Sequence, residues 1–167
     1  MTESIAFYIA AFVTVFAVVC MIFQSNPVAS AIYLVLSFFS LAGIYVMLGA
    51  HFVAALQILV YAGAIMVLFI FVIMLLNLGK DELDFDQIDA RRIFVSLIGL
   101  VLFGFFTYFI FKIPSGAGFA EVPETFGSAN EVAKLMLGDY VVPFEIMGIL
   151  LLVGLVGAVL MGRREES

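Results

Sequence analysis

Polar residues are scarce along this chain and fall in clusters, and the apolar positions between them form five long runs. The runs cover residues 5–23, 28–48, 52–78, 93–111 and 141–161. None has the polar face that a water-soluble helical bundle requires. Each can cross the hydrocarbon of a bilayer as a helix, with its backbone hydrogen bonds satisfied inside the segment. The pattern predicts an all-α, polytopic membrane protein, a single membrane domain over residues 1–167 with five transmembrane helices.

The breaks between runs are of different kinds. Gln24-Ser25-Asn26-Pro27 reads as a tight turn and nothing more. Gly49, Ala50 and His51 make a very short join into the third run. A charged loop, GKDELDFDQIDARR, separates the third run from the fourth. Between the fourth and fifth runs, the stretch rich in proline and glycine over 113–128 reads as coil. Residues 130–137 follow as a short helix with Val132, Leu135 and Met136 on its apolar side.

The third run is the unusual one. As an unbroken helix at about 1.5 Å per residue it would extend roughly 40 Å, against a hydrocarbon core of about 30 Å. It must tilt, bend or carry an irregularity. Its polar content is Gln57 and Tyr61, with Asn77 at the far end. Gln57, Tyr61, Ala64 and Leu68 share one face of an α-helix, spaced by four, three and four residues. Gln57 and Tyr61 are costly to leave unpaired in lipid. They either hold helices together or order water beside a path through the membrane. The patch Tyr61-Ala62-Gly63-Ala64 is small in side-chain volume, which permits close helix packing or a departure from α geometry.

Glu145 stands in DYVVPFE, at the head of the fifth run. With Pro143 in the first helical turn, Glu145 falls near the third helical position, where free amides favour a carboxylate. It reads as a capping acid or as an acid beside an ion route.

Charge changes the picture in one respect. Lys80, Arg91, Arg92, Arg163 and Arg164 fall on one side of a five-span topology, and Lys112 and Lys134 on the other. The positive-inside rule then predicts a cytoplasmic C-terminus and a periplasmic N-terminus. The opening MTESIAFYIA has an acid and no Lys or Arg before its apolar run, which predicts a retained helix rather than a cleaved signal. The net charge is −6, and no basic patch points to nucleic acid. Cys20 is the only cysteine, which excludes an internal disulfide and a self-contained iron–sulfur or cysteine-based zinc site. There is no convincing internal repeat of the kind that builds autonomous secondary transporters.

NPVASAIYLVL, MLGAHFVAALQILVYAGAIMVLFIFVIMLLNL and YVVPFE together resemble one family. It is subunit J of the bacterial NADH–quinone oxidoreductase, equivalent to subunit 6 of mitochondrial complex I. The resemblance is strongest from Gln57 to Leu76. Some members carry an acid where this chain has Gln57, and His where it has Ala29. The resemblance implies a non-redox subunit of a proton-pumping enzyme, in a bacterial inner membrane, with no activity as an isolated chain. It implies a π-bulge in the third helix at Tyr61, Ala62, Gly63, Ala64 and Val67, which interconverts with α geometry as a water path opens and closes. Gln57, Tyr61 and Glu145 are this chain's own polar candidates for such a path.

It also implies that this chain holds no cofactor or metal. FMN, iron–sulfur clusters and quinone would belong to other subunits. The partners implied are the quinone-site membrane subunit, small three-helix subunits, antiporter-like subunits and lipid. The competing expectation is a non-catalytic assembly or scaffold subunit of a multisubunit cation transporter. The small helix faces and the shortage of charge in the membrane motivate it.

Overall fold

The structure, a computed structural model, describes residues 2–76, 90–112 and 126–163. Asn77, residues 79–89 of the charged loop, the coil over 113–125 and Arg164 lie outside the described residues. The described part is helical. Five of its helical stretches are long and apolar enough to cross a membrane. They are Ser4–Phe23, Pro27–Met47, His51–Leu75, Phe94–Lys112 and Val141–Gly162.

Helices α1 (Thr2–Phe23) and α2 (Pro27–Met47) form an antiparallel hairpin. Two serines of α2 stitch it together by donating to carbonyls of α1. Ser40 Oγ reaches Ala10 O at 2.7 Å and Ser30 Oγ reaches Met21 O at 2.9 Å. Ala17 is fully buried, in keeping with the small side chains that let membrane helices approach closely.

The turn between them does more than reverse the chain. Asn26 Oδ1 accepts from the backbone N–H groups of Val28 at 3.0 Å and Ala29 at 3.3 Å. Pro27 takes the first helical position, where its missing N–H costs nothing. The reading of Asn26-Pro27 as a turn alone is therefore corrected: Asn26 is the N-cap of α2.

The third span folds back on α2 and has three parts. α3 (His51–Leu56) opens it, a π-helical segment (Gln57–Ile65) follows, and α4 (Met66–Leu75) closes it. Ala31 of α2 packs with Met66 and Ile73 of α4, and Val28, Leu34, Val35, Phe38 and Ile70 surround them. This cluster is a hydrophobic core among the described residues.

α5 (Ala90–Lys112) packs on no other element among the described residues. At its end, the Lys112 ammonium lies 5.3 Å from the Tyr108 ring centroid, a cation–π contact. α6 (Ala129–Leu137) is short and amphipathic, capped by Ser128, whose Oγ accepts from Glu131 N at 3.4 Å. Among the described residues α7 (Val141–Gly162) packs against α6 alone. A cavity of about 290 Å³ lies between them, lined by residues such as Val132, Met136, Pro143 and Phe144.

Candidate functional site: the π-helical segment

An α-helix bonds each N–H to the carbonyl four residues back, and a π-helix to the one five back. Here the Met66 N–H donates to Tyr61 O, the last bond of the π register. The irregularity begins at Gln57 and ends at Ile65. It therefore takes in Tyr61, Ala62, Gly63 and Ala64. Val67 stands in α4, beyond the segment.

Burial shows what the extra residue does. The positions of this span buried within the chain are Ala54, Gln57, Ala62, Met66 and Ile73. Ala54 to Gln57 and Ala62 to Met66 are ordinary helical steps of three and four. Gln57 to Ala62 is a step of five. The π segment inserts one residue into the inward face and turns everything after it by about 100°, the angle of one residue on an α-helix.

The two polar residues are thereby separated. Gln57 is 6% exposed, while Tyr61 is 49% exposed. Ala64 and Leu68 face outward as well. The α-helical face of Gln57, Tyr61, Ala64 and Leu68 is not present in this register. Tyr61 meets α2 at its margin, where its ring stands edge-on to Phe38 at 6.0 Å between centroids and 73° between planes. Ser37, the neighbour of Phe38, is the other buried polar residue among the described residues, and its Oγ donates to Leu34 O at 2.7 Å.

Gly63 sits inside the irregularity and has a local reason to be glycine. A Cβ at this position would lie 3.1 Å from the carbonyl oxygen of Ile58, five residues back. The carbonyl that the π register brings close would have to yield to any side chain.

Glu145 is placed elsewhere. α7 starts at Val141, so Pro143 is its third residue and Glu145 its fifth. Glu145 lies past the first turn and is not a capping acid, contrary to the expectation of a third-position carboxylate. It is exposed on α7. The structure does not bring it together with Gln57 and Tyr61, because among the described residues α7 packs only on α6. Among the described residues no group of three or more His, Cys, Asp or Glu is arranged to hold a metal ion.

Sequence reasoning missed two features around this site. One is the set of inward residues that follows from the step of five: the family resemblance implies a π-bulge here, and the structure has one, but the shared face is counted at α-helical spacing. The other is the contact at the head of α3, where the Phe52 N–H donates to Gly127 O at 3.0 Å. The two short glycine-bearing stretches were legible, but nothing in the sequence paired them.

A hairpin, a third span with a π-helical middle and two further spans define a polytopic all-α membrane protein with an irregular third helix. The family profile for NADH-ubiquinone/plastoquinone oxidoreductase chain 6 matches residues 17–161. The chain is 39% identical over 165 residues to NADH-quinone oxidoreductase subunit J of Pseudomonas aeruginosa, covering 97% of this chain and 98% of that protein. It is 38% identical over 168 residues to the subunit J of Escherichia coli (strain K12), covering 97% and 88%. It is 37% identical over 170 residues to NAD(P)H-quinone oxidoreductase chain 6 of Synechocystis, covering 98% and 82%. The chain belongs to the family of NADH-quinone oxidoreductase subunit J, the chain 6 family.

Proposed function

We propose that this chain is a membrane-arm subunit of a proton-translocating NADH–quinone oxidoreductase, and that it couples proton movement to quinone reduction through the register of its third span. The observation that carries the reading is the five-residue step from Gln57 to Ala62. A register defect of this kind is discrete. Removing it turns α4 by about 100° and exchanges one set of inward residues for another. In the π register Ala62, Met66 and Ile73 face inward. In a continuous α register the inward set after Gln57 becomes Tyr61, Ala64 and Leu68. The exchange carries the Tyr61 hydroxyl beside Gln57 and makes a polar pair that can order water.

The chain performs no redox chemistry in this account. FMN, iron–sulfur clusters and quinone reside in partner subunits, and the protein is a multi-pass component of a bacterial inner membrane with its C-terminus in the cytoplasm. α5 and α7 expose apolar faces all round, which suits burial against the quinone-site subunit, the small three-helix subunits, antiporter-like subunits and lipid. Glu145, one turn inside α7, is then met by a neighbouring subunit rather than by this chain.

Gly63→Val and Gly63→Leu test the reading in the assembled enzyme. Both place a side chain against the Ile58 carbonyl. The expected result is a lower proton-to-electron stoichiometry or impaired assembly. Normal assembly with normal stoichiometry counts against it. The second reading, a scaffold without a coupling role, draws on the same exposed faces of α5 and α7. It expects assembly defects from substitutions on those faces, and none in coupling from Gly63.

A further inference from the structure

The head of the third span is held by a distant part of the chain. Ala50 is the N-cap of α3 and makes no side-chain capping bond. The first N–H groups of a helix have no partner within it. One of them is satisfied across the fold, by the 3.0 Å bond from Phe52 N to Gly127 O. Two glycines make this approach possible. Gly49 has φ +75° and Gly127 has φ +69°, both in the left-handed region that glycine occupies without strain. A Cβ on Gly127 would overlap the Gly49 carbonyl oxygen and lie 2.8 Å from Ala50 Cα. The Phe126 ring covers the same junction, its Cδ1 3.9 Å from where a Gly49 Cβ would be. α6 begins directly after this turn, with Ser128 as its cap.

We propose that the Gly49–Gly127 junction is the stationary bearing of the third span, and that Gly127 is a positioning residue for coupling. The inference rests on the gating reading above. A register change between Gln57 and Ile65 can be expressed by turning either end of the span. The end that is bonded and sterically fitted stays, and the other turns. With α3 clamped by the Gly127 turn, the rotation falls on α4 and its packing with Ala31 and Val28 of α2. Without the clamp, α3 turns instead and α4 remains seated.

The test uses the intact enzyme reconstituted in liposomes, with Gly127→Ala, the milder Ser128→Ala and Gly63→Val compared side by side. Amide hydrogen exchange is read at Phe52, along with NADH–quinone electron transfer and protons moved per electron. Gly127→Ala is expected to speed Phe52 exchange by roughly two- to tenfold, the worth of one hydrogen bond. Electron transfer is expected to persist while protons per electron fall. Faster exchange with normal stoichiometry, in a preparation where Gly63→Val lowers it, overturns the bearing and leaves the gating reading standing. Unchanged Phe52 exchange in Gly127→Ala also overturns it. Normal stoichiometry in both Gly variants removes the gating reading and the bearing with it. Should Gly127→Ala fail to assemble, Ser128→Ala decides, because it loosens the start of α6 without adding an atom at the junction. It must show the same changes at smaller amplitude, and unchanged stoichiometry there rejects the proposal.

Discussion

Gln57 and Ala62 are both buried within the chain although five residues separate them, a distance that on an α-helix would set them on different faces. Tyr61, which an α-helix would place beneath Gln57, is instead half exposed at the edge of Phe38. A single inserted residue has decided which side chains face α2 and which face outward.

Gly63→Ala is the gentlest probe of that insertion. Glycine to alanine in a helix interior stabilises helix over unfolded chain by roughly 0.5–1 kcal/mol, a gain common to the π and α registers. The added methyl group presses on the Ile58 carbonyl at 3.1 Å, a contact specific to the π register. Gly63→Ala should shift the segment toward α geometry without blocking assembly. Protons per electron should fall less than in Gly63→Val, while the complex accumulates normally on native gels.

Tyr61 has two separable roles. Its ring packs edge-on against Phe38, an arrangement worth about 0.5–1.5 kcal/mol beyond simple burial. Its hydroxyl is the part that can order water. Tyr61→Phe should leave assembly and thermal stability unchanged and lower proton translocation. Tyr61→Ala should lower both. Equal coupling in wild type and Tyr61→Phe would leave the hydroxyl without a function.

Gln57→Leu removes a buried amide at similar volume. If the amide served only to hold helices together, the substitution would weaken assembly in proportion to one interhelical hydrogen bond, about 0.6 kcal/mol on average in membranes. The coupling account expects a larger effect on protons per electron than on complex yield. Purified complex yield and stoichiometry, measured on one preparation, separate the two.

Asn26→Ala addresses the fold alone. Loss of the N-cap bonds to Val28 and Ala29 should destabilise the start of α2 by about 0.5–2 kcal/mol. The effect should appear as a lower melting temperature of the solubilised complex, with normal coupling in the fraction that remains folded.

Much of this architecture was legible because lipid imposes simple rules. Five apolar runs became five candidate spans, and the small amphipathic helix before the last one appears at Ala129–Leu137. The excess length of the third run and its small patch at Tyr61-Ala62-Gly63-Ala64 marked where irregular backbone was affordable. The register itself was hidden. The face of Gln57, Tyr61, Ala64 and Leu68 was counted at α-helical spacing, and a helix that is apolar on every side gives no polar stripe to reveal a step of five. The fifth run begins at Val141 in the sequence reading and in the structure alike, so the error at Glu145 is one of counting within it: the fifth helical residue stands where a third-position carboxylate is expected. The junction of Gly49 with Gly127 is a contact between residues far apart in the chain, and two isolated glycines carry no mark of their partner.

The most direct test is a structure of the intact enzyme in resting and turning-over states, resolving the backbone hydrogen bonds from Gln57 to Leu68. The account predicts two registers. One has the Met66 N–H bonded to Tyr61 O and Ala62 facing inward; the other has N–H groups bonded four residues back and Tyr61 facing inward beside Gln57. A third span that keeps a single register in every state, whether π or α, would contradict it.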